Sequence, residues 1–307
     1  MDRLDELATF LAILDAGSLA GAARRLRRSP PAVTRALAAL EERLGRRLLE
    51  RTTRRMAPTE AGRRLAGDAR RVLADAEEVL RRDAGEAALS GTLRVTAPNV
   101  FGRRHVMPVV SAFLDAHPRM RVELMLSDRY LNLIGEGLDI AVRIGRLPDS
   151  GLVTRRVGQV RRMVLASPAY LAAHGTPHEP RALARHDIVY FLGEPGPTVW
   201  RFRAGARERI VHLAPRLIVN QVDAALFAAR EGRGIVSALS YQVAEDVASG
   251  SLVRLLAAFE RPALPVQLVV PSARHMAAPV RQFLDHAAAA LAPLDVLSDP
   301  VPRKRPA

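Results

Sequence analysis

Arginine is the side chain through which this sequence can do most of its chemistry. Between Arg24 and Arg55 stand eleven arginines and three acids (Glu41, Glu42 and Glu50), a local balance of +8. A guanidinium is planar, permanently charged and forked, so it meets phosphate oxygens and the O6 and N7 edge of guanine two at a time. A run of like charge is by itself usually a solvated face. Here it is joined to a pattern. At about 100° per residue, Val33, Leu37, Leu40 and Leu44 fall on one side of a helix and Pro31, Thr34, Arg35 and Ala38 on the other. The first set is a core stripe. The second is small and polar with one arginine, the surface a helix needs to enter a major groove. Ser29, Pro31, Thr34 and Arg35 are the candidates for contact with double-stranded DNA, and Arg51, Arg54 and Arg55 follow as phosphate anchors.

The types that carry catalysis or bind metals are not arranged to do so. There is no Gly-x-Ser-x-Gly, no His-Glu-x-x-His and no phosphate loop ending in Gly-Lys. Gly232-x-Gly234 reads as a helix-to-strand turn, and His174 and His178 are separated by Gly175 and Pro177, which prevents a shared helical face. With zero cysteines, disulfides, thiolate metal sites and cysteine nucleophiles are excluded. No enzyme activity, metal or cofactor is expected.

The elements that must position the arginines are readable. Leu4, Leu7, Phe10, Leu11 and Leu14 outline a first amphipathic helix, and Ser18 caps a second that runs through Leu19, Ala22, Ala23 and Leu26. Ser29 precedes Pro30-Pro31, prolines being tolerated in a first helical turn, and Leu44-Gly45 closes that third helix. A basic strand-like arm follows and closes at Met56-Ala57-Pro58. From Thr59 to about Leu89 runs a long helix whose Leu65, Ala69, Val72, Ala76 and Val79 are spaced like a heptad seam. Two readings fit it: a helix lying on its own domain, or a dimer seam through Leu65, Val72 and Val79. The narrow stripe between charged pairs suits the dimer better.

After Gly91 strands and helices alternate: strands at Thr92–Thr96, Val122–Leu126 and Asp139–Ile144, with helices after Pro98 and over Tyr130–Glu136. Such alternation indicates an α/β domain with mainly parallel strands.

Phe10, Ala16-Gly17-Ser18-Leu19, Ala22-Ala23, Ala32-Val33-Thr34-Arg35, Leu44-Gly45, Arg51-Thr52-Thr53-Arg54-Arg55 and Thr59-Glu60-Ala61-Gly62 together resemble the winged helix-turn-helix of LysR-type transcriptional regulators. Many members carry glutamine where this chain has Pro30, so the amide contact is lost and weight shifts to Thr34 and Arg35. Gly137-Leu138-Asp139-Ile140-Ala141-Val142-Arg143, Ala166-Ser167-Pro168 and Glu231-Gly232-Arg233-Gly234-Ile235 resemble the effector-binding part of the same family, most weakly from Gly193 to Arg209. The resemblance implies an all-α winged helix-turn-helix (1–59), a linker and dimerisation helix (60–90) and an α/β, two-lobed effector domain like a periplasmic binding protein (91–296). A flexible tail would fill 297–307. The chain would cross between lobes near Arg161 and return near Pro265. It further implies a homodimer or homotetramer on promoter DNA, a small-molecule effector, and contact with RNA polymerase.

A ligand in such a domain sits beyond the carboxyl ends of strands, near helix N-termini. Asn99, Val100 and Arg143 in one lobe and Asn220 and Gln221 in the other occupy those places, which suits a small organic anion. Capping of their own helices is the other reading of Asn99 and Asn220. The formal charge of +14 divides as +4 over residues 1–90 and +10 over 91–307, favouring a polyanionic partner. Asp2, Asp5 and Glu6 are the wrong sign for a signal peptide, and no apolar run spans a bilayer. A cytoplasmic protein without membrane contact is expected. A solute-binding protein lacking a DNA role is the alternative, disfavoured by the first 90 residues.

Overall fold

The computed structural model describes residues 3–51, 56–83, 89–147, 152–192, 196–271 and 276–298. Helices α1 (Arg3–Ala16), α2 (Leu19–Leu26) and α3 (Pro30–Leu44) pack around Phe10, Ile13, Val33 and Leu37. Strands β1 (Leu49–Arg51) and β2 (Met56–Pro58) pair antiparallel as a wing. Leu44, expected in the core stripe, is 37% exposed. It is the last residue of α3, and the left-handed Gly45 (φ 64°) turns the chain away there.

The long helix α4 (Glu60–Asp83) is capped by Thr59, whose hydroxyl oxygen accepts the Gly62 amide at 3.0 Å. Its first half lies on its own domain. Ala66 and Ala69 are buried and Leu65 and Leu73 packed against the N-terminal core, while Arg70 bonds Asp15 at 3.2 Å. Leu65 therefore serves the N-terminal core. Val72 is 45% exposed and open to a partner, and the Val79 side chain lies outside the described residues.

The remainder forms two lobes. In lobe one, β3 (Gly91–Ala97) feeds α5 (Asn99–Phe101), which continues through a π-helical turn at Gly102–Val106 into α6 (Met107–Ala116). Then come β4 (Met120–Leu126), β5 (Ile140–Ile144) and β6 (Val153–Val160), giving with the late strand β14 the order β4-β3-β5-β14-β6. After Arg161 the chain enters lobe two with β7 (Arg162–Ala166), α7 (Pro168–His174), β8 (Ile188–Phe191) and the hairpin β9 (Val199–Ala204) and β10 (Arg207–His212). Lobe two ends with β11 (Leu217–Val219), α8 (Val222–Arg230), β12 (Ile235–Leu239), α9 (Ala244–Ser249) and β13 (Val253–Leu255). Its sheet order is β11-β8-β12-β7-β13. Strand β14 (Leu264–Val270) returns to lobe one, followed by α10 (Ala278–Leu291) and α11 (Asp295–Ser298).

Three expectations are corrected. The sheets are mixed: β3 pairs parallel with β4 and β5, but β14 pairs antiparallel with both β5 and β6, and β7 antiparallel with β12 and β13. The strands on either side of each lobe crossing run against their neighbours. Tyr130–Glu136 is not a helix. Asn132 Oδ1 accepts the Gly135 amide at 3.2 Å and Gly137 takes φ 63°, so a single turn forms and stops. Finally, Leu297 is no part of a tail: it is 2% exposed, and a Cβ on Gly158 of β6 would lie 2.5 Å from its Cβ. The ordered domain extends through Ser298; residues 299–307 lie outside the described set. Among the described residues no helix is long and apolar enough to cross a membrane.

Candidate functional site

The N-terminal surface is built from caps and turns. Ser18 Oγ accepts the Gly21 amide at 3.0 Å and starts α2. The turn to α3 places Arg27 at φ 53°, and the Arg28 amide reaches back to Ala23 O at 2.9 Å. Ser29 sits at the N-cap of α3, yet its hydroxyl makes no capping bond. The prolines explain this: Pro30 and Pro31 have no N–H, and the Ala32 amide is held by the Ser29 carbonyl at 3.0 Å. The exposed Ser29 hydroxyl is left for an outside acceptor.

Burial of Val33, Ala36, Leu37 and Leu40 sets the rotation of α3. Pro31, Arg35 and Ala38 consequently face solvent, with Thr34 half-buried at the edge. The Thr34 hydroxyl donates to Pro30 O at 3.0 Å, so its donor is committed within the helix and its oxygen remains as an acceptor.

The arginines divide into two sets. Arg28 pairs with Asp5 at 2.7 Å, Arg43 with Glu6 at 2.8 Å and Arg25 with Asp15 at 3.4 Å, tying the turn between α2 and α3, α3 and α2 respectively to α1. Arg24, Arg27, Arg35, Arg46 and Arg47 are exposed and have no carboxylate partner among the described residues. Glu41 aligns the arm, its Oε1 accepting the amides of Leu48 at 2.7 Å and Leu49 at 3.3 Å. Arg54, Arg55 and the Arg51 side chain lie outside the described residues.

Of the five expected effector residues, three belong to lobe one. Asn99 caps nothing: its amide side chain donates to Asp128 Oδ2 at 2.7 Å and its backbone N–H to Asp128 Oδ1 at 3.1 Å. Val100 is 3% exposed and belongs to the core. Arg143, at the end of β5, is 6% exposed; it donates to Leu131 O at 3.3 Å and lies 5.0 Å over the Tyr130 ring. In lobe two Asn220 and Gln221 are exposed, and Gln221, the N-cap of α8, makes no side-chain cap bond. The lobes meet one helical turn away, where Arg103 pairs with Asp223 at 2.6 Å and Tyr241 packs edge-on to Phe101 at 5.3 Å. His105 joins that aromatic cluster, and burial, followed by the neighbouring Arg104 charge, lowers its pKa below the usual histidine value.

The sequence reading missed a cavity of about 320 Å³ in lobe two, between the sheet and the β9–β10 hairpin. Arg162, Tyr190, Trp200, Phe202, Ser237 and Arg261 are among its lining residues, and none of the five expected effector residues is. The available signal was the alternation of Trp200 and Phe202 with Arg201 and Arg203, in the stretch where the family resemblance is weakest.

A helix-turn-helix that presents unpaired arginines, joined by a long helix to a two-lobed α/β domain, defines a DNA-binding regulator with a ligand-sensing domain. Residues 4–63 match the model of the bacterial regulatory helix-turn-helix proteins of the lysR family, and residues 86–292 match the LysR substrate binding domain. The chain belongs to the LysR family of transcriptional regulators. It is 34% identical over 285 residues to the regulator PtxR of Pseudomonas aeruginosa, covering 92% of this chain and 91% of that one. The solved structure of CrgA, a LysR-type regulator from Neisseria meningitidis, superposes with a TM-score of 0.58 at 33% identity, covering 94% and 98% of the two chains. The full-length Vibrio cholerae virulence activator AphB gives 0.60 at 27% identity, covering 94% and 100%.

Proposed function

We propose that this regulator reads operator DNA through the exposed face of α3, with Arg35 forked to a guanine and Ser29, Pro31 and Thr34 completing the contact. Arg24, Arg27, Arg46 and Arg47, with Arg51, Arg54 and Arg55 of the wing, anchor phosphates. The observation that carries this is the division of the arginines: those facing the core are paired with Asp5, Glu6 and Asp15, whereas Arg35 is exposed and unpaired among the described residues. Arg35→Ala should weaken cognate binding by roughly 1–3 kcal/mol and leave random DNA almost unaffected. Titration of both DNAs at matched salt tests this; an equal loss on both would make Arg35 a phosphate contact.

The second half of the reading concerns the sensor. A small organic anion enters between the lobes, where its carboxylate competes with Asp128 for Asn99 and with Asp223 for Arg103. Asn220, Gln221 and Arg143 provide the remaining donors. Exchange of this hydrogen bond and this ion pair alters how the lobes close and how α4 holds two DNA-binding domains. The regulator acts in the cytoplasm as a homodimer or homotetramer through the exposed Val72 and the continuation of α4 toward Val79, and it communicates with RNA polymerase. An organic-acid screen by thermal shift on the wild type and on Asn99→Ala, Asn220→Ala protein tests the site. A hit that stabilises both equally would put the effector elsewhere.

A further inference from the structure

We infer that the cavity between the lobe-two sheet and the β9–β10 hairpin is a binding site for a small aromatic monocarboxylate, with Arg162 holding the carboxylate and Tyr190, Trp200 and Phe202 enclosing the ring. The site shares none of the residues assigned to the interlobe cleft, so its failure would leave the reading of DNA and of that cleft untouched.

Charge sets the first half of the argument. Four arginines and two glutamates crowd this end of the lobe, which leaves two positive charges in excess. Arg254 grips Glu260 with two bonds of 2.6 and 2.7 Å. Arg201 and Arg261 share Glu208, at 3.2 and 3.3 Å. Arg162 has no carboxylate partner among the described residues. It begins β7 opposite Leu239 of β12 and opens onto the cavity beside Arg261. Arg162 is solvent-exposed at the start of β7, so its guanidinium is open to an incoming group at the mouth of the cavity. A guanidinium with no carboxylate of its own can take one without first giving up a partner.

Shape and polarity set the second half. A volume of about 320 Å³ is at the small end for ligand pockets, suited to a compact molecule. Trp200 and Phe202 alternate with Arg201 on β9, so both rings point to the sheet and are 9% and 4% exposed. Tyr190 of β8 and Ser237 of β12 rise from the facing sheet, Ser237 adding a hydroxyl donor next to Arg162. Flat aromatic walls beside a positively charged end, with the lining Glu260 already held by Arg254, select a planar apolar body bearing one negative charge. A bare inorganic anion would leave the aromatic surface unfilled, and a neutral ring would leave Arg162 unpaired.

Trp200 is the only tryptophan of the chain, so its fluorescence reports on this cavity alone. The full-length protein is titrated with benzoate and phenylacetate, and with benzamide and phenylacetamide as uncharged isosteres, following Trp200 emission and thermal stability. At least one carboxylate should give a saturable change that its amide does not match. Arg162→Met should weaken that binding roughly 10- to 100-fold, while Arg121→Gln, exposed on β4 of lobe one, should leave it unchanged. Without ligand, Arg162→Met should melt close to the wild-type temperature, because it removes an exposed charge with no carboxylate partner among the described residues and keeps the stem volume. The inference is overturned if neither carboxylate saturates, if the amides bind equally well, or if Arg162→Met binds like wild type. A variant that melts lower or fails to fold also overturns it, since that would mean the guanidinium already has its partner.

Discussion

The two halves of the molecule distribute their unpaired arginines differently. Residues 91–307 hold the larger positive excess, +10 against +4 for residues 1–90. In the C-terminal half Arg94, Arg103, Arg155, Arg230 and Arg254 are tied to Glu123, Asp223, Asp285, Asp246 and Glu260, whereas Arg121, Arg129, Arg146, Arg185, Arg207, Arg209 and Arg233 are exposed without a carboxylate partner among the described residues and are spread over both lobes. In the N-terminal half Arg25, Arg28, Arg43 and Arg70 pair with acids of α1 and Arg64 with Glu60, and the exposed unpaired set, Arg24, Arg27, Arg35, Arg46 and Arg47, gathers around α3. A polyanion is recruited by cations that have no partner of their own, because a paired guanidinium must first give up a carboxylate. Net charge per domain therefore points to the wrong half of this chain, and the clustering of unpaired arginines points to the right one.

The comparison can be broken first at the inward-facing set. Glu6 is 2% exposed and its charge is balanced by Arg43. Removing that partner leaves a buried carboxylate uncompensated. Because Arg43 itself is 44% exposed, Arg43→Met should cost about 2 kcal/mol, below the range for fully buried pairs, as read by urea unfolding. A neutral result would make Arg43 a member of the DNA-facing set.

A somewhat smaller effect is expected in the C-terminal half. Arg230 clasps Asp246 through two bonds of 2.6 and 2.7 Å, and Ser251 adds a third at 2.9 Å. Hydrogen bonding to Arg230 holds the Asp246 carboxyl below its ordinary value of 3.8, against the opposing effect of burial. A depressed carboxylate pKa contributes stability that is present above 3.8 and is lost as pH falls through the lowered value. Asp246→Asn should then lose roughly 1–2 kcal/mol at neutral pH and converge on wild type in strong acid. Parallel unfolding curves at all pH values would show that the pair contributes through packing alone.

The smallest effect should come from a single outward arginine. Arg46→Ala ought to leave stability unchanged, weaken cognate and random DNA alike, and flatten the salt dependence by about one phosphate contact. If instead it changed only cognate affinity, the arm would read bases.

Much of this was available from local pattern. The helical spacing of Val33, Leu37 and Leu40, the glycine at 45 and the serine cap at 18 act over a single turn, so neighbouring residue types suffice to place α2 and α3 and to turn Arg35 outward. Tyr130–Glu136 shows where that reach ends: its apolar spacing is helical, but a side-chain bond from Asn132 and a left-handed Gly137 stop the helix after one turn. Leu65 shows a second limit. Its heptad spacing is equally consistent with a partner helix and with α1, and only the position of α1 decides between them.

The sequence by itself thus determined the family architecture, the exposed face of α3 and the local positive charge around it, because caps, periodicity and a local arginine excess are short-range properties. Tertiary structure alone decided which arginines are neutralised, since Asp5 and Arg28, Glu6 and Arg43, and Arg103 and Asp223 meet only after folding. It likewise decided that Asn99 answers to Asp128, that each sheet is mixed, and that Arg162 faces Trp200 across a cavity. Charge pairing and enclosed space depend on residues far apart in the chain, and no reading along the chain contains those distances.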